Sequence, residues 1–132
     1  MNNKIIYLLS LLMLTTIFYS CEYEAQISYK ITNKSVKRIK VLFIVDSNQK
    51  KTDSVFVDVD KTELIKVEGQ GLSTVDNYKE KNERLSEFSK ISVYKSDTIE
   101  SKTDFMLTTK WSYYENNSHS ADYVATVIDS DF

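Results

Sequence analysis

The 132-residue sequence contains no proline, two glycines, one histidine and one cysteine. Each shortage removes a class of answers. With Cys21 as the sole thiol, no internal disulfide can form, so the core must hold without one. Gly69 and Gly71 are too few to build loops that cradle phosphate through bare backbone, and no phosphate-loop, dinucleotide or nucleophile-elbow motif occurs. Alanine is confined to Ala25, Ala121 and Ala125, poor material for long helices. The net charge of −2 is too balanced for the dense positive field that nucleic-acid binding needs, so no nucleic-acid partner is expected.

What is abundant points the other way. Val, Ile and Thr are frequent, with nine Tyr and six Phe, a palette suited to pleated strands with one wet face. The only long apolar run opens the chain. Met1-Asn2-Asn3-Lys4 is short and positive, and Ile5 to Phe18 is then apolar except for Tyr7, Ser10, Thr15 and Thr16. Such a run is short for a bilayer span, which needs about 20 apolar residues, but fits the hydrophobic region of a signal peptide.

That run ends in Phe18-Tyr19-Ser20-Cys21. A small residue directly before a cysteine at this position resembles the lipobox of bacterial lipoproteins. Phe18 and Tyr19 are bulkier than the usual residues there, a relaxed form similar to that of Bacteroidetes-type lipoproteins. The resemblance covers the leader and its immediate border, and implies a signal peptide at 1–20 and acyl chains such as palmitate on Cys21. It also implies a home in the cell envelope, anchored to the outer membrane and facing either periplasm or surface. Glu22 and Glu24 resemble the acidic signals that send some of these lipoproteins outward. Two or three acyl chains hold a protein to a bilayer where one binds only marginally, at about 0.8 kcal/mol per buried methylene. An ordinary secretory leader cut near Ser20 and an uncleaved anchor are the alternatives.

Residues 21–132 then suffice for one domain. Tyr23, Ala25, Ile27, Tyr29 and Ile31 alternate with Glu24, Gln26, Ser28, Lys30 and Thr32, the period of a strand with one face in a core. Further strands are expected at 37–45, around Val55, Val57 and Val59, at 64–67, at 91–94, at 105–114 and at 123–128. The segment 72–88 reads as a loop with at most a helical turn, 96–104 as a polar connection, and 115–120 as a hairpin loop. About seven strands without a convincing helix predict an all-β, single antiparallel sandwich of immunoglobulin-like kind, with Trp111 across the core; a small barrel is the alternative.

Chemistry is sparse. His119 sits among Asn and Ser in an expected loop, without an evident nucleophile or orienting carboxylate. Asp58, Asp60 and Glu63, and Asp129 with Asp131, are acidic clusters without a calcium-loop glycine, and read as solvated faces. No metal, no cofactor and no catalytic residue is expected. Trp111, Tyr113, Tyr114 and Tyr94 form a candidate binding platform for a glycan or partner protein, against the reading that Trp111 and Tyr113 point into the core. Asp53-Ser54-Val55 and Asp97-Thr98-Ile99 resemble O-glycosylation sites of Bacteroidetes periplasmic proteins. The expected function is a non-catalytic, membrane-anchored binding or structural module with an envelope protein or glycan as partner. An envelope inhibitor or immunity protein is the alternative, ahead of a small hydrolase.

Overall fold

The computed structural model describes residues 24–45, 51–72 and 74–132. Cys21 and the leader lie outside them, as does Tyr23. Eight strands form two four-stranded sheets that share no pairing. One sheet orders β4 (Thr62–Leu72), β1 (Glu24–Asn33), β8 (Ser120–Val127) and β7 (Trp111–Asn117). The other orders β3 (Thr52–Val57), β2 (Ile39–Val45), β5 (Phe88–Lys95) and β6 (Ile99–Glu100). This is the two-layer sandwich the periodicity predicts, and not a closed barrel. One pairing is parallel: β8 runs alongside β1, Tyr29 opposite Tyr123.

The alternation expected in β1 is realised from Glu24 to Ile31. Ala25, Ile27, Tyr29 and Ile31 are buried, the last three in one core cluster with Ile39, Val41 and Phe43 of β2. Tyr123, Ala125 and Val127 of β8 complete the same layer. Burying each large apolar side chain stabilises the fold by about 1.5–3 kcal/mol before ordering costs, which is why period-two segments lock their register.

Two expectations about the later chain need correction. The strand expected over 105–114 begins only at Trp111. Before it, Phe105 and Met106 turn inward and Thr108–Lys110 makes a 3-10 turn. The reason is the buried indole: Trp111 Nε1 donates to the Phe105 carbonyl at 2.8 Å, so the chain folds back to supply an acceptor. The hairpin loop expected over 115–120 is tighter, because β7 runs to Asn117 and β8 starts at Ser120. The polar connection at 96–104 also contains the short strand β6.

The strand directions define two ends. One holds Glu24, Leu72, the 3-10 turn Val75–Tyr78 and the β7–β8 turn, drawn together by the bonds Gln26 N to His119 O (2.8 Å) and Val75 N to Ser118 O (3.0 Å). The other holds the end of β1, the start of β2, and the β3–β4 and β5–β6 turns. Asn33 pins that second end from inside. Fully buried, its Nδ2 donates to the carbonyls of Lys37 and Val57, both at 2.9 Å, and its Oδ1 accepts from Ser35 N and Oγ.

Candidate functional site

A β-bulge helps to shape a concave site on the sandwich. The register of β1 against β4 steps from Tyr29–Lys66 to Lys30–Leu64, leaving Ile65 unpaired. Ile65 and Lys66 therefore both turn inward while Leu64 and Val67 stay exposed. Lys66 is carried to the open side of the sandwich, where its Nζ lies 2.6 Å from Glu68 and 2.7 Å from Glu87. Burial works against the ammonium charge, but the hydrogen bonds and charges of the two glutamates outweigh it, and the Lys66 pKa is raised.

Beside this ion pair cluster the segment 77–87 bounds a cleft of about 410 Å³, with Ile27 and Tyr29 beneath and Glu68 and Glu87 along the wall. Glu80 organises the covering segment. Its carboxylate accepts from the backbone of Lys81 and Asn82, and from Ser86 N (2.9 Å) and Ser86 Oγ (2.6 Å). Partial burial pushes the Glu80 carboxyl up, but the bonds from Ser86 and Asn82 prevail and hold it below the usual carboxylate range. Its backbone N–H donates to Tyr123 Oη at 2.6 Å, fastening the segment to β8. Tyr123 stacks on Tyr29 at 5.3 Å, and burial, followed by the charge of Glu87, holds the Tyr29 hydroxyl far above the normal tyrosine range.

Chemically the cleft is polar and mixed in charge, but its acids are engaged. Glu68 and Glu87 are bound to Lys66, and Glu80 caps its own loop. A general acid–base pair requires two carboxyls free to exchange protons with a substrate, with their pKa values pushed apart. Here all three carboxylates are engaged by groups of the protein itself. The segment does not protrude: Leu85 N bonds Met106 O at 2.9 Å and Thr108 N bonds Glu83 O at 2.8 Å.

The aromatic platform is not assembled. Trp111 is 7% exposed, its ring edge-on to Tyr29 within the core. Tyr113 is half-buried against Tyr123, with Lys79 Nζ 4.9 Å from its ring. Tyr94 belongs to the other sheet, where its hydroxyl meets Glu100 at 3.1 Å. Only Tyr114, 56% exposed, faces solvent broadly. The physical reason is that residues two apart on β7 share a face, and the face shared by Trp111 and Tyr113 is the interior one.

The acidic clusters resolve into separate pairs: Asp58 with Arg38, Asp60 with Lys34, Asp129 with Lys95, while Asp131 accepts from Thr103 Oγ1 at 2.7 Å. Among the described residues no three His, Cys, Asp or Glu side chains gather as a metal site. His119 is half-buried in the β7–β8 turn. Ser54 on edge strand β3 and Thr98 in the β5–β6 turn are both exposed. Cys21 lies outside the described residues. The cleft residues Lys66, Glu68, Glu80 and Glu87 escaped the sequence reading; its one trace of them was the charged, irregular stretch after β4. Comparison with protein-family models, curated proteins and solved structures finds no match to this chain.

Proposed function

We propose that the protein is a lipid-anchored, non-catalytic binding module of the cell envelope, tethered to the outer membrane through acylated Cys21 and recognising an envelope protein or glycan. The observation that carries the reading is adjacency: β1 begins at Glu24, three residues after the only cysteine, a reach of at most about 10 Å. Acyl chains there would hold the Glu24 end of the sandwich close to the bilayer and turn the Asn33 end away from it. The engaged carboxylates of the cleft favour binding over hydrolysis. The packed segment 74–87 favours a binding surface over an inhibitor that inserts a long acidic loop at that position.

The test is the mature protein itself. Membrane-extracted protein is expected to have an intact mass matching residues 21–132 plus acyl groups, and Cys21→Ser to abolish palmitate labelling and membrane partitioning. A retained leader, a different first residue, or unchanged partitioning of the variant overturns the reading.

A further inference from the structure

Five of the eight large apolar side chains left exposed among the described residues lie at the Asn33 end: Val36, Phe56, Val59, Ile99 and Ile128. Three of these line one shallow groove of about 370 Å³, Val36 at 71% exposed and Phe56 and Val59 both at 41%. Isolated exposed apolar residues need no explanation, but a cluster rimmed by charge marks a contact surface.

The charge around the groove is mixed: Asp58 meets Arg38, Asp129 accepts from Val36 N at 3.2 Å and meets Lys95, and Asp97 lines the rim, which leaves the ammonium groups of Lys37 and Lys40 in excess. The Arg38 guanidinium lies 4.1 Å from the centre of the Phe56 ring and Lys40 Nζ 5.5 Å from it. The ammonium groups of Lys37 and Lys40 form no ion pair among the described residues. Arg38 meets Asp58 at 3.3 Å, but both side chains are largely exposed, and such a contact is weak and easily exchanged. An arginine stacked on an aromatic ring is the pairing that interface cores favour, and its geometry is already set before a partner arrives.

The rim backbone is held in an unusual shape. Ser96 (φ 52°) and Asp97 (φ 62°) are consecutive left-handed residues in the β5–β6 turn, and both line the groove. Glycine would sit there without strain, yet both glycines of the chain are spent in β4, where neither has positive φ. The strained turn sets the Ser96 and Asp97 side chains at the edge of the groove, across from Lys37 and Arg38.

We propose that this groove docks an extended acidic segment of a partner protein. An apolar side chain of that segment seats among Val36, Phe56 and Val59, and its carboxylates meet Lys37, Arg38 and Lys40. The segment chemistry follows from the groove alone; presentation of the groove away from the bilayer rests on the anchored reading above.

The experiment uses full-length protein in phosphatidylcholine nanodiscs, titrated with two synthetic peptides of equal length, one alternating Asp and Leu, the other Lys and Leu. The Asp–Leu peptide is expected to shift the backbone amide resonances of residues 36–38, 56–59 and 96–97 saturably, binding at least about tenfold tighter than the Lys–Leu peptide. Arg38→Glu is expected to weaken it about tenfold with unchanged thermal unfolding; Lys37→Glu, at an exposed side chain, gives the same readout should Arg38→Glu disturb the fold. Resonances that stay still, equal response to both peptides, or undiminished binding by a folded charge-reversal variant overturn the proposal. So does a phosphatidylglycerol nanodisc that shifts the same resonances without peptide, which assigns the groove to a lipid surface. Cys21→Ser protein in solution is expected to bind the peptide like the parent, so failure of the groove and failure of the anchor read out separately.

Discussion

The two ends of the sandwich are closed by opposite chemistry. At the Glu24 end the plug is apolar and small: Val75 packs on Ala25 and Ala121, fully buried, with Tyr78 and Tyr113 around them. At the Asn33 end the plug is polar, a buried amide with its donors and acceptors satisfied by neighbouring backbone and Ser35. At the polar end Ile39, Val57 and Val127 are fully buried, yet Val36, Phe56 and Val59 stay outside. Pinning the backbone through one buried amide therefore closes the core at that end without covering every apolar side chain beside it.

Breaking the polar plug should have the largest effect. Asn33→Ala takes a donor from the Lys37 and Val57 carbonyls and the acceptor from Ser35 N, while Ser35 Oγ still holds Lys37 O, and is expected to lower stability by about 3 kcal/mol in urea unfolding. Val75→Ala removes two buried methyl groups from the other plug, with an expected loss of about 2 kcal/mol and no change in amide resonances at 36–38. Crossed effects, with Val75→Ala disturbing the groove, would break the comparison of independent ends. Acid should act on the cleft side first. The Glu80 carboxyl is depressed in the folded protein, so its stabilising contribution is present above its unfolded pKa near ~4.3 and fades as pH falls through the lower folded value. Hydrogen exchange of amides 79–87 is expected to accelerate relative to β1 between about pH 5 and pH 3, and Glu80→Gln is expected to flatten that dependence. The smallest effect sharpens the strain argument. Ser96→Gly is expected to raise stability by about 0.5 kcal/mol, relief of the left-handed residue being partly offset by a freer unfolded chain.

Much of the fold was legible because period two is a direct imprint of a half-buried strand. The alternation in β1 named its buried face from Ala25 to Ile31, and the strand character of β2 and β8 was read in the same way. Three features were not legible, for identifiable reasons. The bulge at Ile65 shifts the face pattern through pairing with a distant strand, Tyr29 against Lys66 and Lys30 against Leu64, with no local marker. The inward turn at Phe105 answers the need of a single indole N–H. The parallel contact of β1 with β8 joins the first and last strands, which local pattern cannot pair. The candidate sites divide similarly. Trp111 had a core reading beside the platform reading, and the structure decides between them. The cleft depends on Lys66, Glu68, Glu80 and Glu87, common surface residue types whose role exists only once the bulge and the segment 77–87 bring them together.

The proposed anchor would give the sandwich a polarity, with the Glu24 end at the bilayer and the Asn33 end presented. It is tested by energy transfer from a fluorophore to acceptor lipids in vesicles carrying full-length, processed protein. Once Cys21 is acylated, an introduced thiol is the only reactive one, so Ser118→Cys labels the near end and Lys61→Cys the far end. The ten residues of β1 separate these ends by roughly 30 Å. The account expects strong transfer from position 118 and weak transfer from position 61. Equal transfer from both, or stronger transfer from position 61, would contradict it.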